Sequence, residues 1–243
     1  ANVKTPLPGP KSKELLQRWL AVEADSTGYQ APVVWKEGRG CAVTDVDGNT
    51  YLDWTSGVLV TNVGHCHPHL VRAVQEASAR LINNYECPNE ERVLAAEKLA
   101  GALPEWMKMC FFLTTGSEAV EAAVRIMKRK TTRYEIIGFA GGFHGRTYAA
   151  ASVGGMAGPK RGYGPDMPGV IRAPFPNSNR GPFGSKTEAE CADKHLEALD
   201  DLVRANSTGS LAGILIEPYL GAAGFIFPPE GYLKRLEDWA RDK

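Results

Sequence analysis

An apolar run that ends at a small-residue turn, directly before a helical pattern, constrains this chain more than any other feature. Residues 110–113 are apolar, Thr114-Thr115-Gly116-Ser117 follows, and a helix-like pattern then runs to Lys130. In α/β proteins this order brings free backbone N–H groups and the positive end of a helix dipole to a glycine that an anion can approach. We therefore predict a strand over 110–115, a helix over 117–130 and a phosphate pocket between them. The same residues also fit a helix that Ser117 merely caps, with no ligand.

The charge balance and the cysteine content narrow the function classes. The 243 residues contain 28 Lys plus Arg and 28 Asp plus Glu, which argues against a dedicated nucleic-acid binder or an electrostatic membrane binder. Five irregularly spaced cysteines form no Cys-x-x-Cys pair, as is usual in a reducing compartment. No apolar run is long enough to span a bilayer, and residues 1–10 lack a signal-peptide core. We expect a soluble cytoplasmic protein.

Strand and helix patterns alternate along most of the chain. Strands are predicted over 135–140 and 211–216, a hairpin with an Asp-Gly-Asn turn over 43–53, and a long Gly/Pro-rich loop over 154–184. This alternation predicts an α/β protein with a mainly parallel sheet and crossover helices. Further helices are predicted over 11–22, 68–83, 89–102, 188–205 and 230–241.

The last predicted helix raises the question of what covers it. Tyr232, Leu233, Leu236 and Trp239 occupy its apolar positions, and in an α/β fold a further strand should bury them. We therefore expect an exposed apolar patch on this helix, poor solubility of the isolated chain, and a chain that is part of a longer protein.

Six short motifs follow one another along the chain: Tyr51-Leu52-Asp53, Ser56-Gly57-Val58, Gly64-His65-Cys66-His67-Pro68, Thr115-Gly116-Ser117-Glu118-Ala119, Phe143-His144-Gly145-Arg146-Thr147 and Glu217-Pro218. In this order they resemble the class III aminotransferases, which use pyridoxal 5′-phosphate (PLP) and include 4-aminobutyrate aminotransferase. The resemblance covers nearly the whole chain. It implies the fold-type I architecture, a mainly parallel seven-stranded sheet with helices on both faces. It also implies a homodimer with active sites at the subunit interface.

The resemblance also implies a domain division and an incomplete active site. Residues 1–56 would belong to a small domain and 57–243 to a large PLP-binding domain whose C-terminal part is missing. In the family, an aspartate that pairs with the pyridine nitrogen and the Schiff-base lysine come later in the chain. After Glu217-Pro218 the sequence offers Lys234 and Lys243, neither in a matching context. We therefore expect the catalytic lysine to lie outside this chain and the isolated chain to be inactive.

Four residues receive a role towards the cofactor from the resemblance. Gly116 and Ser117 resemble the turn that holds the phosphate. Phe143 resembles the aromatic residue that stacks on the cofactor ring, although the pattern alone also fits a core phenylalanine. His144 would pack beside the ring or serve as hydrogen-bonded scaffold, and we favour scaffold.

Three residues receive a role towards the substrate or its selection. Arg146 resembles an arginine that holds a substrate carboxylate, for which a guanidinium fork is suited, and a structural salt bridge is the alternative. Glu217, which we also count among the cofactor-binding residues, resembles a glutamate that pairs with a later arginine as a gate between substrates. The alternative is an ordinary glutamate at the C-terminal end of a strand, where sites in α/β proteins commonly lie. Val58 matches a small apolar wall near the substrate or ordinary packing.

Three alternating histidines, His65, His67 and His69, could be mistaken for a metal site. Metal ligation needs a fourth ligand and suitable geometry, and Pro68 interrupts the run where a helix begins. The resemblance instead implies a structural turn near the dimer interface, and we expect no metal.

The leading functional hypothesis is a PLP-dependent aminotransferase that moves an amino group from an ω-amino acid to a 2-oxo acid such as 2-oxoglutarate. A racemase, an epimerase or a decarboxylating member of the same family would share this half of the fold. A non-catalytic fragment or dimerisation module is the alternative from another class. The sequence beyond Lys243 would discriminate between an enzyme and a non-catalytic protein.

Overall fold

The computed structural model of the protein describes residues 1–24 and 30–243 and divides them into two compact units, Ala1–Ala102 and Leu103–Lys243. This division lies further along the chain than the boundary implied by the family resemblance, and the assignment of 1–56 and 57–243 to domains stays a prediction. The first unit contains α1 (Pro10–Leu20), β1 (Trp35–Arg39), β2 (Ala42–Asp45), β3 (Thr50–Leu52), α2 (Ser56–Leu59), α3 (Pro68–Arg80) and α4 (Glu90–Ala102). The second unit contains α5 (Gly116–Thr131), β4 (Glu135–Phe139), α6 (Tyr148–Val153), a 3-10 turn (Gly158–Lys160), β5 (Val170–Ala173), α7 (Glu188–Asn206), β6 (Leu211–Ile214) and α8 (Tyr232–Arg241).

The first unit is built on an antiparallel sheet in the order β1-β2-β3. The predicted hairpin is confirmed, with Val43 opposite Tyr51 and Gly48 at a φ of +84° in the turn. Buried Asp45 accepts hydrogen bonds from the backbone and side chain of Asn49 and from the Tyr51 hydroxyl at 2.7 to 2.8 Å. Burial raises the pKa of Asp45, but these hydrogen bonds outweigh it and hold the pKa below its usual value.

The second unit is built on a parallel sheet in the order β5-β4-β6, with β4 in the centre. All five residues of β4 are buried, and their side chains alternate between two faces of the sheet. Ile136 packs with Val124 of α5 and Val153 of α6, whereas Ile137 belongs to a cluster with residues of α7 and α8. The predicted α/β architecture, with parallel strands and helices on both faces, is confirmed.

One glycine sets how closely a helix approaches the central strand. A Cβ on Gly138 would lie 2.2 Å from the carbonyl oxygen of Val153 at the end of α6, so a larger residue would push α6 off the sheet.

The first residue of β4, Glu135, is also fixed. Its carboxylate accepts hydrogen bonds from the Ser207 hydroxyl and from the amide and hydroxyl of Thr208 at 2.5 to 2.8 Å.

One strand prediction and one loop prediction from the sequence are wrong. Residues 110–115 belong to no strand in the described part of the chain, and Phe111 is 67% exposed. Conversely, the predicted loop over 154–184 contains β5, four residues that pair with β4 in parallel. A glycine precedes β5 and a proline follows it, so the four residues between them are too few to show a strand pattern in the sequence.

The expected apolar patch on the last helix is also largely wrong. Tyr232 and Leu236 of α8 are buried in the same cluster as Leu199 of α7. Polar contacts join the same two helices, since Arg235 binds Asp193 at 2.7 Å and the Trp239 indole donates to Asp200 at 3.3 Å. Helix α7, rather than a later strand, therefore covers most of the apolar face.

Candidate active site

The N-terminus of α5 offers backbone donors to an open space. Thr115 is its N-cap and accepts a hydrogen bond from the amide of Glu118 at 3.1 Å, so the alternative in which Ser117 caps the helix is wrong. Within 1–24 and 30–243, no residue accepts a hydrogen bond from the amides of Gly116 and Ser117. A Cβ on Gly116 would meet no atom within 4 Å. The turn can therefore accept an anion.

A carboxylate at the same turn holds the cap in place. Glu118 accepts hydrogen bonds from the Thr114 hydroxyl and from the Thr114 amide, the latter at 3.0 Å. These two bonds lower the pKa of Glu118, which keeps the carboxylate charged near the positive end of the helix dipole. Thr115 and Glu118 thus form a variant of the capping box, in which the glutamate reaches one residue further back.

Ser117 joins the start of α5 to the loop that carries Arg146. Its Oγ accepts a hydrogen bond from the amide of Arg146 at 3.1 Å, which leaves its hydroxyl proton available to another acceptor. Gly145 permits this approach. It has a φ of +137°, and a Cβ there would lie 2.4 Å from Ser117 Oγ and 2.9 Å from Ser117 Cα. The two predicted site residues Ser117 and Arg146 are therefore brought together.

Glu121, one turn after Ser117 on α5, forms hydrogen bonds with residues that follow Arg146. Its Oε1 accepts hydrogen bonds from the Thr147 hydroxyl at 2.5 Å and from the amides of Ala149 and Ala150 at 2.9 and 3.2 Å. Thr147 is the N-cap residue of α6 but makes no side-chain cap of its own. The sequence analysis gave Glu121 no role. The available signal was its spacing of four residues from Ser117, which puts both on one helix face.

The loop after β4 meets the segment after β6 through Glu217. The Glu217 carboxylate accepts hydrogen bonds from the amide of Phe143 at 2.7 Å and from the amide of Gly221 at 3.0 Å. Because β4 and β6 are neighbouring parallel strands, both segments leave the same edge of the sheet. Glu217 thereby fixes the backbone of Phe143, whose side chain is 37% exposed.

His144 is half-buried beside this contact. A Cβ on Gly142 would lie 3.3 Å from His144 Nε2 and 3.9 Å from Glu217 Oε1, so the two side chains meet at this glycine. Burial lowers the pKa of His144, and the charge of Glu217 only partly offsets this. In the described part of the chain, Nε2 of His144 is buried without a hydrogen-bond partner.

Val58 lies in the first unit, in a turn whose backbone is left-handed. Ser56, Val58 and Leu59 have φ values of +53°, +62° and +65°, which is rare for residues other than glycine. Asp53 stabilises the turn, since it accepts hydrogen bonds from the Thr55 amide and hydroxyl and from the Gly57 amide. Val58 is 62% exposed, so it is available for contact.

The histidine run contributes to the scaffold of the first unit. His65 Nε2 lies 2.7 Å from Asp53 Oδ2, and its ring meets Trp35 edge to face. Hydrogen bonds from Thr55 and His65 hold the pKa of Asp53 far below its usual range. His67 is the N-cap residue of α3. No group of three possible metal ligands occurs among the residues that the structure describes.

Six of the seven predicted site residues lie within the second unit, where a hydrogen bond joins Ser117 to Arg146 and another joins Glu217 to Phe143, with His144 beside Glu217. The sixth residue, Gly116, directly precedes Ser117. Val58 belongs to the other unit. Lys234 and Lys243 each bind a carboxylate, Asp238 at 2.6 Å and Asp200 at 2.7 Å respectively.

In the regions described, no helix is both long and apolar enough to cross a membrane.

A family model described as aminotransferase class III matches residues 24–243. An alanine/serine racemase of Pyrococcus horikoshii is 35% identical over 240 residues, which are 95% of this chain and 50% of the relative. A 4-aminobutyrate aminotransferase of Mycobacterium tuberculosis strain H37Rv is 35% identical over 245 residues, or 98% of this chain and 54% of the relative.

A solved structure shows the same fold. The (S)-enantioselective ω-transaminase of Thermomicrobium roseum superposes with a TM-score of 0.86 at 25% identity, over 95% of this chain and 55% of the other. The chain spans about half the length of the relatives that it matches.

Proposed function

Because the chain belongs to the class III aminotransferase family, we propose that it forms part of a PLP-dependent aminotransferase that takes the amino group of an ω-amino acid and passes it to a 2-oxo acid such as 2-oxoglutarate. Enzymes of this family depend on PLP. The observation that carries the proposal is the open N-terminus of α5, whose Ser117 is bonded directly to the amide of Arg146. This hydrogen bond supports the proposal because it links the turn proposed to bind the phosphate to the residue proposed to bind the substrate carboxylate.

The residues present fit the phosphate of PLP. The amides of Gly116 and Ser117 have no acceptor in the described residues, Gly116 faces open space, and the Ser117 hydroxyl can donate. A phosphate needs such donors, and the helix dipole adds a favourable field. Gly116 and Ser117 would therefore hold the phosphate group.

The residues around Phe143 fit the aromatic ring of the cofactor. Phe143 would stack on the ring, because its backbone is fixed by Glu217 while its side chain remains partly exposed. His144, which is half-buried and whose pKa is lowered by burial, would complete the wall on this side. When bound, PLP supplies an electron sink for the substrate carbon from which the proton leaves. The lysine and the aspartate that this chemistry requires are expected outside 1–243.

Arg146 is the proposed substrate anchor. A guanidinium binds a carboxylate with two parallel hydrogen bonds, and a substrate with a carboxylate at one end would present its amino group at a fixed distance from it. Val58 is proposed to add an apolar wall. The Glu217 carboxylate accepts hydrogen bonds from two backbone amides. We therefore propose that Glu217 holds the backbone of Phe143, in addition to any pairing with a later arginine.

A racemase or epimerase is the second candidate function. The observation that favours it is the likeness to the alanine/serine racemase of Pyrococcus horikoshii, whose identity matches that of the 4-aminobutyrate aminotransferase. A decarboxylating member of the family, which would share this half of the fold, is a further alternative. A non-catalytic module is disfavoured, because a protein that only dimerises has no need of a phosphate turn bonded to an arginine.

The cellular setting is part of the same proposal. We propose a homodimer in the cytoplasm that binds small-molecule amino donors and 2-oxo acids, and neither nucleic acid nor membrane. The equal numbers of basic and acidic residues support the last two points.

An absorbance spectrum and a product assay on the complete protein test the proposal. We expect PLP absorption that changes when 4-aminobutyrate is added, and formation of glutamate from 2-oxoglutarate. A conversion of L-alanine to D-alanine without glutamate formation would favour the racemase instead. Absence of PLP from the protein after incubation with excess PLP would contradict every enzymatic version of the proposal.

A further inference from the structure

We propose that Glu121 is a positioning residue that aims Arg146 at the substrate carboxylate, and that α5 thereby sets the distance between the phosphate turn and the substrate anchor. The proposal rests on the function proposed above for Ser117 and Arg146. It concerns a residue that no sequence motif singled out.

Two side chains of α5, one helical turn apart, hold the backbone on both sides of the arginine. Ser117 binds the amide of Arg146 at 3.1 Å. Glu121 binds Thr147 at 2.5 Å and the amides of Ala149 and Ala150 at 2.9 and 3.2 Å. Residues at i and i+4 face the same side of a helix, so one rigid element determines where the arginine backbone lies.

The carboxylate of Glu121 binds the first residues of α6 and its N-cap residue. Within the described ranges, every hydrogen bond to its carboxylate comes from residues 147–150. Thr147 does not cap α6 with its own side chain, so the carboxylate of Glu121 performs that task from the neighbouring helix. Ala149 and Ala150 are buried, so without Glu121 their amides would lose an acceptor that water could replace only by opening the structure.

The consequence is a fixed spacing in the site. The same helix begins with the phosphate turn at Gly116 and Ser117, so the phosphate and Arg146 are positioned from one element. A displacement of the Arg146 backbone would weaken binding of a carboxylate much more than binding of an uncharged substrate, because bidentate contacts depend on geometry.

The test uses Glu121→Ala in the complete PLP-loaded enzyme, with two readouts. The first is KM for 4-aminobutyrate against KM for n-butylamine, which has the amine without the carboxylate. The second is the Kd of butyrate by calorimetry, which needs no turnover. We expect KM for 4-aminobutyrate and Kd for butyrate to rise about tenfold, since loss of positioning costs at least this much, while KM for n-butylamine and PLP content stay unchanged.

Three comparisons make the test specific. Glu121→Gln keeps an acceptor oxygen and should restore most of the butyrate affinity. Glu197→Ala removes an exposed glutamate of α7 and should change nothing. If Glu121 acts through Arg146, the double variant Glu121→Ala/Arg146→Ala should bind butyrate no worse than Arg146→Ala alone.

The contrary outcomes are equally definite. Effects of the two single variants that add in the double variant, equal KM changes for both amines, or a loss of PLP content in Glu121→Ala would overturn the positioning role. A parent enzyme that binds PLP but no butyrate and turns over no ω-amino acid would instead overturn the proposed function.

Discussion

Arg146 is the residue on which the assignment of a carboxylate substrate depends. We predict that Arg146→Ala raises KM for 4-aminobutyrate and leaves KM for n-butylamine nearly unchanged. The lost charge-assisted contact is worth about 1.5–3 kcal/mol, which corresponds to roughly 10- to 150-fold. Steady-state kinetics with both donors measure the difference. Arg161→Ala, at an exposed arginine of the same unit, is the control. Equal losses with both donors would indicate that Arg146 has a structural role.

A second single residue gives a prediction about pH and stability. His195 of α7 is 1% exposed, its Nδ1 lies 2.7 Å from the carbonyl oxygen of Cys191, and burial lowers its pKa. The unfolded chain, with a histidine pKa of about 6.5, then binds more protons than the folded chain just below that pH. Stability should therefore fall as pH drops from about 6.5 towards the lower folded pKa.

His195→Asn tests this contribution, because asparagine keeps a donor near the position of Nδ1 and does not titrate. We predict that the parent protein loses more Tm between pH 7.5 and 5.5 than the variant does, as measured by differential scanning calorimetry. His69→Asn replaces an exposed histidine and should behave like the parent. Equal Tm losses in the parent and in His195→Asn would show that the buried imidazole does not control acid stability.

At the scale of elements, the approach of the Arg146 loop to α5 depends on one glycine. Gly145→Ala would place a Cβ 2.4 Å from Ser117 Oγ at a φ of +137°. We predict that the loop moves away from α5 and that PLP affinity falls at least tenfold, because Ser117 contributes to the phosphate turn and a misplaced ligand costs about this much. Equilibrium dialysis against PLP measures the effect.

The matched control for this glycine is Gly184→Ala. Gly184 also has a positive φ, +58°, but a Cβ there would meet nothing within 4 Å. It therefore carries the backbone strain without the collision. If both variants lost PLP affinity equally, strain rather than the approach to Ser117 would be responsible, and the proposed contact between loop and phosphate turn would be contradicted.

The helices were predictable from local pattern, whereas not every strand was, because a strand also needs a partner strand. The predicted helix over 117–130 is found as Gly116–Thr131, because its amphipathic period and basic last turn are local properties. Residues 110–115 were assigned to a strand on the same apolar evidence that identified β4. A strand exists only with a hydrogen-bonded neighbour, which β4 has on both sides, and residues 110–115 belong to no strand among the described residues.

The candidate site was predictable as a set of residues but not as a network. The resemblance named Ser117, Arg146, Phe143 and Glu217, yet in the hydrogen bonds that join them in pairs a backbone amide donates to a side-chain oxygen. Almost any residue can supply a backbone amide. A hydrogen bond that uses one therefore cannot be predicted from the type of residue at that position. Glu121 was missed for the same reason, since two of its three donors are amides of alanines.

At the scale of the whole molecule, large apolar side chains remain exposed. Trp54, Ile82, Tyr85 and Met109 are 88%, 89%, 83% and 94% exposed. Single exposed apolar residues are ordinary, but several that are large and almost fully exposed are typical of surfaces covered by other protein. We predict that the complete protein sediments as a dimer at micromolar concentration in analytical ultracentrifugation. A single monomeric species over the whole concentration range would contradict the proposed homodimer.

The central claim is that the N-terminus of α5 holds the phosphate of PLP, and a crystal structure of the complete protein with PLP tests it most directly. We predict phosphate oxygens at about 2.7–3.2 Å from the amide nitrogens of Gly116 and Ser117 and at a similar distance from Ser117 Oγ. Phe143 should lie against the cofactor ring in the same structure. A phosphate bound at any other element, with the Gly116 turn empty, would contradict the account.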